Sequence, residues 1–246
     1  MSRLRLDQAL VERGLVASRA RAQDFIKQGL VTVAGEVATK AGRLVGEGEA
    51  IVLSDAAHSF VSRGALKLQA ALDAFALSPD GRIALDLGAS TGGFTEVLLA
   101  RGARRVYAVD VGHGQLHPTL RKDPRVVALE QRDARYLTVA EISEPVEAVT
   151  ADLSFISLTL VLPKALHLAR PGAWLVALVK PQFEAGREAV GKGGIVRDPA
   201  ARKAALARVE ACVAGLDGWA LIGAIASPIT GQDGNEEWLL AARRET

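Results

Sequence analysis

The sequence predicts an α/β protein in which a small α/β domain precedes a doubly wound, mostly parallel sheet. From about residue 63 onward, short apolar segments alternate with helical segments. These apolar segments are continuous rather than alternating with polar residues, which is typical of strands buried on both faces of a parallel sheet. Before residue 55, by contrast, two helical segments precede any strand-like segment.

The composition is that of a globular chain with a sizeable core. The 246 residues are 49% hydrophobic and 24% charged, with a formal net charge of +2, which excludes a disordered tail and a disulfide-dependent scaffold. The single cysteine, Cys212, cannot form an internal disulfide, and we expect no metal centre. The first residues, Met-Ser-Arg-Leu-Arg-Leu-Asp, do not have the apolar core expected of a signal peptide, and no uncharged apolar run approaches the roughly 18 residues that span a bilayer. We therefore expect a cytoplasmic protein without a membrane segment.

Residues 1–55 are predicted to form the small α/β domain. Asp7 and Ser18 are placed to cap two short helices, which Gly14 and Gly29 would end. Short segments rich in β-branched residues follow as predicted strands at 31–33 and 50–53. Residues 1–30 carry six arginines and lysines against three acids. A solvated helix face would account for this local excess, and an interaction with an anionic partner is the alternative.

The pattern of residues 5–35 resembles the S4-type RNA-binding domain. It reads Arg-Leu-Asp-x-x-Leu-Val-x-x-Gly-Leu-x-x-Ser-Arg, followed after two residues by Ala-x-x-x-Ile-x-x-Gly-x-Val-x-Val-x-Gly. The resemblance covers nearly the whole segment and implies that basic side chains contact structured RNA. The side chains it implies are Arg3, Arg5, Arg19, Arg21, Lys27 and Lys40.

Residues 56–62 are predicted to be a linker, and residues 63–246 a second domain with seven strands. The predicted strands are 83–87, 106–110, 126–129, 148–153, 174–179, 221–226 and 237–242. The last two are joined by too few residues for a crossover helix, so the final strand is predicted to be antiparallel. Asp198 and Pro199 predict the start of a helix that Gly215 would end.

A glycine-rich turn follows the first of these strands, in Ile83-Ala-Leu-Asp-Leu-Gly-Ala-Ser-Thr-Gly-Gly-Phe-Thr. Glycines let the backbone approach a ligand closely, and the following helix offers free N–H groups to an anion. Asp110 ends the next strand, 22 residues after Gly88, where a carboxylate can accept both ribose hydroxyls of a nucleoside. Because the glycine spacing differs from the G-x-G-x-x-G of dinucleotide sites, NAD is not the predicted cofactor. Glycines that only shape the turn are the alternative.

The segment Asp-Leu-Gly-Ala-x-x-Gly-Gly-Phe-Thr resembles motif I of the S-adenosylmethionine-dependent methyltransferases, specifically the FtsJ-like ribose methyltransferases. The resemblance implies that S-adenosylmethionine is the cofactor, with its methionine part in the loop and its ribose and adenine on two acids. The residues it implies are Asp86, Gly88, Ala89, Ser90, Thr91, Gly92, Gly93, Phe94, Asp110 and Asp133. By its neighbours alone, Asp133 could equally belong to a polar loop.

Further ionisable residues occur where the sheet would present them at its carboxyl edge, the usual ligand side of such folds. Asp152 follows the fourth strand, Lys180 follows the fifth, and two glutamates enter the last strand in Gly-Asn-Glu-Glu. Taken alone, a lysine that ends an apolar strand is commonly a solvated terminus, and Lys67 is not distinctive.

Together, Lys67, Asp152, Lys180 and Glu236 resemble, in order, the Lys-Asp-Lys-Glu tetrad of ribose 2′-O-methyltransferases. With the RNA-binding module in front, the chain resembles the TlyA family of ribosomal-RNA cytidine 2′-O-methyltransferases, which are also labelled hemolysins. The segments Lys-Pro-Gln-Phe-Glu and Gly-Gly-Ile-Val-Arg-Asp strengthen this resemblance. It implies ribosomal RNA or ribosomal subunits as the partner. The sequence does not indicate an oligomeric state.

Methylation of a ribose hydroxyl requires positioning and one base, because the methyl group on a sulfonium is already activated. We expect Lys180 to be that base, with its neutral form favoured by partial burial and by a neighbouring cation such as Lys67. Asp152 would orient Lys180 near the transferring methyl group. Lys67 and Glu236 would hold the ribose.

Other classes of function are less well supported by the residues. Cytosine C5 methylation needs a thiol, and Cys212 lies inside a predicted helix. Base N-methylation commonly uses Asn/Asp-Pro-Pro-aromatic after strand four, where this chain has Asp152-Leu-Ser-Phe. A membrane-active protein would need an amphipathic insertion segment, which we do not find. Two alternatives stay open: a non-catalytic RNA-binding or ribosome-assembly protein that has kept both domains, and a hemolysin-like cytolytic protein that acts by another route.

Overall fold

The chain forms two compact units in the computed structural model, Met1–Arg63 and Gly64–Thr246. The structure describes residues 3–16, 18–27, 29–53, 60–231 and 233–246, with the side chains of Ala20, Arg21 and Asp24 left aside. Residues 56–59 of the predicted linker lie outside this part.

In the residues of the first unit that the structure describes, there are two short helices and two small sheets. Its helices are α1, Leu6–Glu12, and α2, Arg19–Lys27. Strand β1, Arg3–Arg5, pairs with β4, Leu44–Gly46, and β2, Val31–Val33, lies between β3, Glu36–Val37, and β5, Ile51–Leu53. The predicted cap of α1 is wrong: Arg5 occupies the N-cap position without a side-chain cap bond, and Asp7 lies within the first turn.

The second unit is built on a seven-stranded sheet in the order β11-β12-β10-β9-β6-β7-β8. The strands are β6, Ile83–Leu87; β7, Arg105–Asp110; β8, Val126–Glu130; β9, Val146–Ala151; β10, Ala169–Val179; β11, Trp219–Ala226; and β12, Trp238–Arg244. All neighbours from β8 to β10 are parallel, whereas β12 runs antiparallel to both β10 and β11. The predicted fold class is therefore confirmed, including the antiparallel last strand.

Helices and three short 3₁₀ segments connect these strands. The helices are α3, Gly64–Ala74; α4, Gly93–Ala100; α5, Pro118–Arg121; α6, Leu158–Ala165; α7, Pro181–Glu184; and α8, Pro199–Ala214. The 3₁₀ segments are Ala134–Tyr136, Leu166–Leu168 and Arg187–Ala189. α3 packs against α4 and β12, and α8 packs against α6 and α7. Asp198 caps α8 by accepting from Ala200 N at 3.0 Å, and Gly215 ends it, as predicted.

The core of this unit lies on the central strands. Every residue of β6 is buried, as are all residues of β10 from Ala173 to Val179. Such continuous burial follows from the apolar sequence of strands covered on both faces. Across the residues that the structure describes, we find no helix of the length and apolarity that crossing a membrane demands.

Candidate active site

The carboxyl ends of three neighbouring parallel strands meet at one edge of the sheet. Gly88 follows β6, Asp152 follows β9 and Lys180 follows β10, and these strands are adjacent in the order β10-β9-β6. The N–H of Asp152 donates to the carbonyl of Leu87 at 2.9 Å, which extends the ladder one residue past the strands. The topology thus places the start of the glycine loop and two of the expected catalytic residues side by side.

Gly88 lies directly against the backbone of Asp152. Its φ of +82° favours glycine, and a Cβ built there would lie 2.5 Å from the Asp152 carbonyl oxygen and 3.2 Å from a side-chain methyl carbon of Leu153. Real Cβ atoms do not approach backbone that closely, so a side chain here would push the two loops apart. This glycine therefore supports a close contact between the loop after β6 and the loop that carries Asp152.

Lys180 and Asp152 form an ion pair at this edge. Lys180 Nζ lies 2.7 Å from Asp152 Oδ1, and the two side chains are 12% and 24% exposed. Nζ also donates a hydrogen bond to Ser154 Oγ at 2.9 Å. The ammonium of Lys180 is therefore held between the Asp152 carboxylate and the Ser154 hydroxyl, with a small part of it exposed.

Lys67 is paired with Glu237 rather than with Glu236. Lys67 Nζ lies 2.5 Å from Glu237 Oε2, and both side chains are buried, whereas Glu236 is exposed and pairs with Arg202 at 2.5 Å. Successive residues of an extended chain point to opposite faces of a sheet. Glu236 therefore turns towards α8, and Glu237 towards α3, so the acid that pairs with Lys67 is Glu237.

The two ion pairs occupy neighbouring positions in the sheet. Trp238 pairs with Val179 between β12 and β10, so Glu237 and Lys180 each lie one residue beyond that pair. We expected Lys67 to act on Lys180 as a nearby cation. The described contacts instead compensate Lys67 with Glu237, and the charged group that faces Lys180 is the carboxylate of Asp152.

The two adjacent glutamates provide a matched test of the pairing between Lys67 and Glu237. Glu237→Gln leaves a buried ammonium with a neutral partner and should lower the free energy of unfolding by about 3 kcal/mol. Glu236→Gln breaks an exposed pair and should cost less than about 1 kcal/mol. Denaturant unfolding measures both, and equal losses in the two variants would contradict the assignment.

Asp110 closes the loop after β6 against the loop after β7. Its two carboxylate oxygens accept from Ser90 N at 2.8 Å and from Gly112 N at 2.7 Å. Each carboxylate oxygen has a second lone pair, so Asp110 can still accept two hydroxyl groups. This acceptor set fits the ribose hydroxyls of a nucleoside.

The remaining residues of the predicted cofactor loop play different parts. Ser90 and Thr91 are exposed, while Ala89 and the side chain of Phe94 are buried, so Phe94 could reach a ligand only through its backbone. Gly92 has a φ of +101° at the N-cap of α4, and a Cβ there would lie 2.2 Å from Leu120 Cδ1. Its positive φ favours glycine, and a side chain there would also displace the Leu120 side chain of α5. Gly93 begins α4, whose first N–H groups lack partners within the helix.

Asp86 is enclosed beneath the loop and does not face a ligand. Its side chain is fully buried and accepts from Thr95 Oγ1 at 2.6 Å and from Thr150 Oγ1 at 2.9 Å. Burial raises the pKa of Asp86 to about 6, and the charge of Asp152 adds to this, while the two threonine hydrogen bonds oppose it. The expected direct contact between Asp86 and the cofactor is therefore replaced by support of the loop from inside.

The raised pKa of Asp86 makes stability depend on pH in a defined direction. The carboxyl of Asp86 binds its proton more tightly in the folded state than in the unfolded state. Protonated Asp86 therefore contributes to the free energy of unfolding below about pH 4, and this contribution is lost as pH rises through about 6. One pKa unit corresponds to about 1.4 kcal/mol, so ionised Asp86 should cost about 3 kcal/mol at pH 7. Asp86→Asn should therefore gain stability over wild type between pH 4 and 7 in denaturant unfolding. A constant difference across that range would contradict this.

Two acids organise the loops that follow β7 and β8. Asp133 accepts from Arg135 N at 2.9 Å and pairs with its guanidinium at 2.6 Å, so its carboxylate is already partnered. Glu130 accepts from the backbone of Gly114, Gln115 and Leu116. The hydrogen bond from Arg121 lowers the pKa of Glu130 most, and the backbone hydrogen bonds add to this, so that the pKa is about 2. A structural role for Glu130 did not follow from sequence patterns.

Phe155 is an exposed aromatic residue of the site that sequence analysis did not select. Its side chain is 91% exposed and its φ is +65°. Its ring lies 5.3 Å from that of Phe183, and Lys180 Nζ lies 6.0 Å from the Phe183 ring. Below it, buried Glu184 accepts from Ser157 Oγ and from Leu158 N, which fixes the end of the loop. The only sequence signal was an aromatic residue three positions after Asp152.

The predicted RNA-binding residues lie in the first unit. Those whose side chains the structure describes are all exposed: Arg3, Arg5, Arg19, Lys27 and Lys40. The side chain of Arg21 lies outside the described part. In the ranges that the structure covers, no group of three or more His, Cys, Asp or Glu residues is arranged to hold a metal ion.

Comparison with known proteins identifies both units. Residues 60–244 match the FtsJ-like methyltransferase family and residues 4–51 match the S4 domain. The 16S/23S rRNA (cytidine-2′-O)-methyltransferase TlyA of Mycobacterium tuberculosis is 49% identical over 99% of this chain and 91% of the relative. Hemolysin A of Brachyspira hyodysenteriae is 39% identical over 96% of this chain and 98% of the relative.

A solved structure from Streptococcus thermophilus, provisionally named a hemolysin, has the same architecture. It superposes with a TM-score of 0.76 at 41% identity and covers 100% of this chain and 90% of that one. The match to a relative of near-equal length spans both the S4 domain and the methyltransferase domain. This chain therefore belongs to the FtsJ-like methyltransferases and, within them, to the TlyA family.

Proposed function

We propose that this chain transfers a methyl group from S-adenosylmethionine to a ribose 2′-hydroxyl of ribosomal RNA, at a cytidine. The observation that carries the proposal is the Lys180–Asp152 pair, which lies beside the glycine loop after β6. The family membership supports the reaction type, and the name of the relative from M. tuberculosis supports the substrate.

A ribose hydroxyl is a poor nucleophile until its proton is removed, and Lys180 and Asp152 would supply the base that removes it. When bound, S-adenosylmethionine supplies a methyl group on a positively charged sulfur, already activated for transfer. Lys180 in its neutral amine form accepts the hydroxyl proton, and it must first release its own. Asp152, with Oδ1 2.7 Å from Nζ, holds the amine in place and stabilises the ammonium that forms.

The second pair and the exposed aromatic residue would position the nucleotide. Lys67 and Glu237 lie at the next strand end and are held rigid by burial, so they offer a fixed donor and acceptor beside the reacting ribose. Phe155 presents an almost fully exposed ring next to this edge. Single-stranded or flipped bases stack on such rings, so we assign Phe155 to the target base.

The cofactor would be held by the loops after β6 and β7. Asp110 would accept the ribose hydroxyls, and the backbone from Gly88 to Gly93 would enclose the methionine part. Asp133 would reach the adenine only if its bond to Arg135 is shared or exchanged.

The first unit would supply affinity for the RNA. Its exposed basic residues belong to a module that matches the S4 domain, and cationic side chains that neutralise phosphates dominate such affinity. Because ribosomal RNA is the proposed substrate, we place the protein in the cytoplasm.

Mapping ribose methylation on ribosomal RNA from cells with and without the protein tests this function. We expect one or more 2′-O-methylcytidines to disappear when the gene is deleted and to return with the wild-type gene but not with Lys180→Ala. Identical methylation maps in both strains would contradict the proposal.

A further inference from the structure

A single buried carboxylate in the first unit binds two of the proposed RNA-contacting arginines. Asp7 is fully buried in the first turn of α1. It accepts from Arg5 Nε at 3.1 Å, Arg19 Nη2 at 3.0 Å and Gln23 Nε2 at 2.8 Å. Burial alone would raise the pKa of Asp7, but the hydrogen bonds from Arg5, Gln23 and Arg19 outweigh it and hold that pKa well below its usual range. These hydrogen bonds therefore favour the charged form of the Asp7 carboxyl.

Asp7 holds the two arginines in place, and both keep N–H donors that can bind a ligand. Their side chains are 46% and 52% exposed, and each guanidinium carries five N–H donors of which Asp7 uses only one or two. Two cations share one anion, so the cluster keeps a positive charge. Arg13 shows the contrast, because its guanidinium donates to the carbonyls of Gly46, Glu47 and Glu49 and so ties α1 to the β4–β5 turn.

The loop before β4 joins the same cluster through the backbone of α1. The N–H groups of Leu6 and Asp7 donate to the carbonyls of Arg43 and Ala41 at 2.7 and 3.2 Å. Gly42 lies under the Arg5 guanidinium, and a Cβ there would be 3.3 Å from Arg5 Nη1. The exposed Lys40 is carried on this loop. Arg5 and Arg19 are thus connected through the Asp7 carboxylate, and the backbone of Leu6 and Asp7 is bonded to the loop that follows Lys40.

We propose that Asp7 is the positioning residue for RNA recognition, because it holds Arg5 and Arg19 as a preformed pair of guanidinium groups for neighbouring phosphates of one RNA strand. The inference rests on the proposed function, in which the first unit binds ribosomal RNA. An arginine side chain that is already fixed loses less conformational entropy on binding, and a planar guanidinium that is oriented can bind a phosphate through two donors.

A positioning role for Asp7 and simple charge attraction predict opposite effects of Asp7→Asn on the affinity for RNA. Asp7→Asn removes a negative charge, so charge alone would tighten RNA binding. Loss of the positioned pair should instead weaken binding about tenfold or more and lower the slope of log K against log salt by about one to two. Glu12→Gln is the matched control, since it removes an exposed acid from the same helix. It should leave affinity unchanged or slightly raise it.

The experiment measures binding of the full-length protein to purified ribosomal subunits that lack the modification, at several salt concentrations. Asp7→Asn is also made in an Arg5→Ala/Arg19→Ala background, where its effect should vanish if Asp7 acts through these arginines. A structural defect would persist in that background and would overturn the proposal. So would unchanged or tighter binding by Asp7→Asn alone.

A charge-conserving variant keeps the test decisive if Asp7→Asn fails to fold. Arg5→Lys/Arg19→Lys leaves Asp7 intact and keeps both charges, yet a lysine cannot bind the carboxylate and a phosphate with one planar group. Affinity should fall about tenfold or more, and wild-type affinity in this variant would overturn the proposal. Failure of the wild-type protein to bind either subunit would instead refute the proposed function.

Discussion

Replacing Lys180 by arginine should lower the single-turnover rate of methyl transfer by about 10²- to 10⁴-fold, the usual contribution of a general base. Arginine keeps the positive charge that pairs with Asp152, but a guanidinium does not release its proton at any usable pH. Lys180→Ala should be impaired at least as strongly. The measurement is the rate with protein in excess over unmodified ribosomal subunits at saturating S-adenosylmethionine.

Two controls separate loss of chemistry from loss of structure. Calorimetry should show nearly unchanged affinity of both Lys180 variants for S-adenosylmethionine. Lys203→Arg, a substitution of an exposed lysine on α8, should keep the wild-type rate. If Lys180→Arg methylates at the wild-type rate, the lysine acts only as an electrostatic clamp, and the proton leaves to Asp152 or to solvent.

Replacing Asp110 by alanine should weaken binding of S-adenosylmethionine by about 2 to 4 kcal/mol, which is roughly 30- to 1000-fold. The substitution removes two charge-assisted contacts to ribose hydroxyls and also the bonds that Asp110 accepts from Ser90 N and Gly112 N. Isothermal titration calorimetry measures the loss directly. Asp123→Ala is the control, since it removes an aspartate that precedes β8 at the opposite edge of the sheet. Unchanged affinity in a folded Asp110→Ala protein would reject the assignment.

The architecture of the second unit could be predicted from sequence because its strands are long and uniformly apolar. β6 and the buried part of β10 read as continuous apolar segments and are buried throughout. Predicted strand ends differ by a few residues, and most clearly at β10, which begins at Ala169 rather than 174. Its first residues include Arg170, Pro171 and Gly172, which disfavour a strand by pattern alone. The short strands β1, β3 and β4 were not predicted because, unlike the equally short β2 and β5, they are not rich in β-branched residues.

The candidate site was predictable in its residue types but not in its contacts. Sequence order and resemblance indicated Asp152 and Lys180, and the topology brings them together. The choice between Glu236 and Glu237 depends on which face of an extended segment packs on α3, and that is decided by tertiary structure. Asp86 has the right type and position for a ligand contact, but its burial between Thr95 and Thr150 requires knowledge of both neighbouring elements.

Asp7 shows the same limit in the first unit. As an acidic residue just before a helical segment it has the pattern of an N-cap. Its carboxylate instead turns towards α2, because Arg19 and Gln23 lie one turn apart on that helix and face it. Two donors that are distant in sequence thus outweigh a local capping bond. Rules based on local sequence cannot predict this tertiary contact.

Nucleoside analysis of the reaction product tests the central claim most directly. Unmodified ribosomal subunits are incubated with the protein and S-adenosylmethionine carrying an isotope-labelled methyl group, and the RNA is digested and examined by mass spectrometry. We predict labelled 2′-O-methylcytidine, with the label on the ribose fragment, and none with Lys180→Ala. A label on the base fragment, or no label in RNA that the protein binds, would contradict ribose methylation.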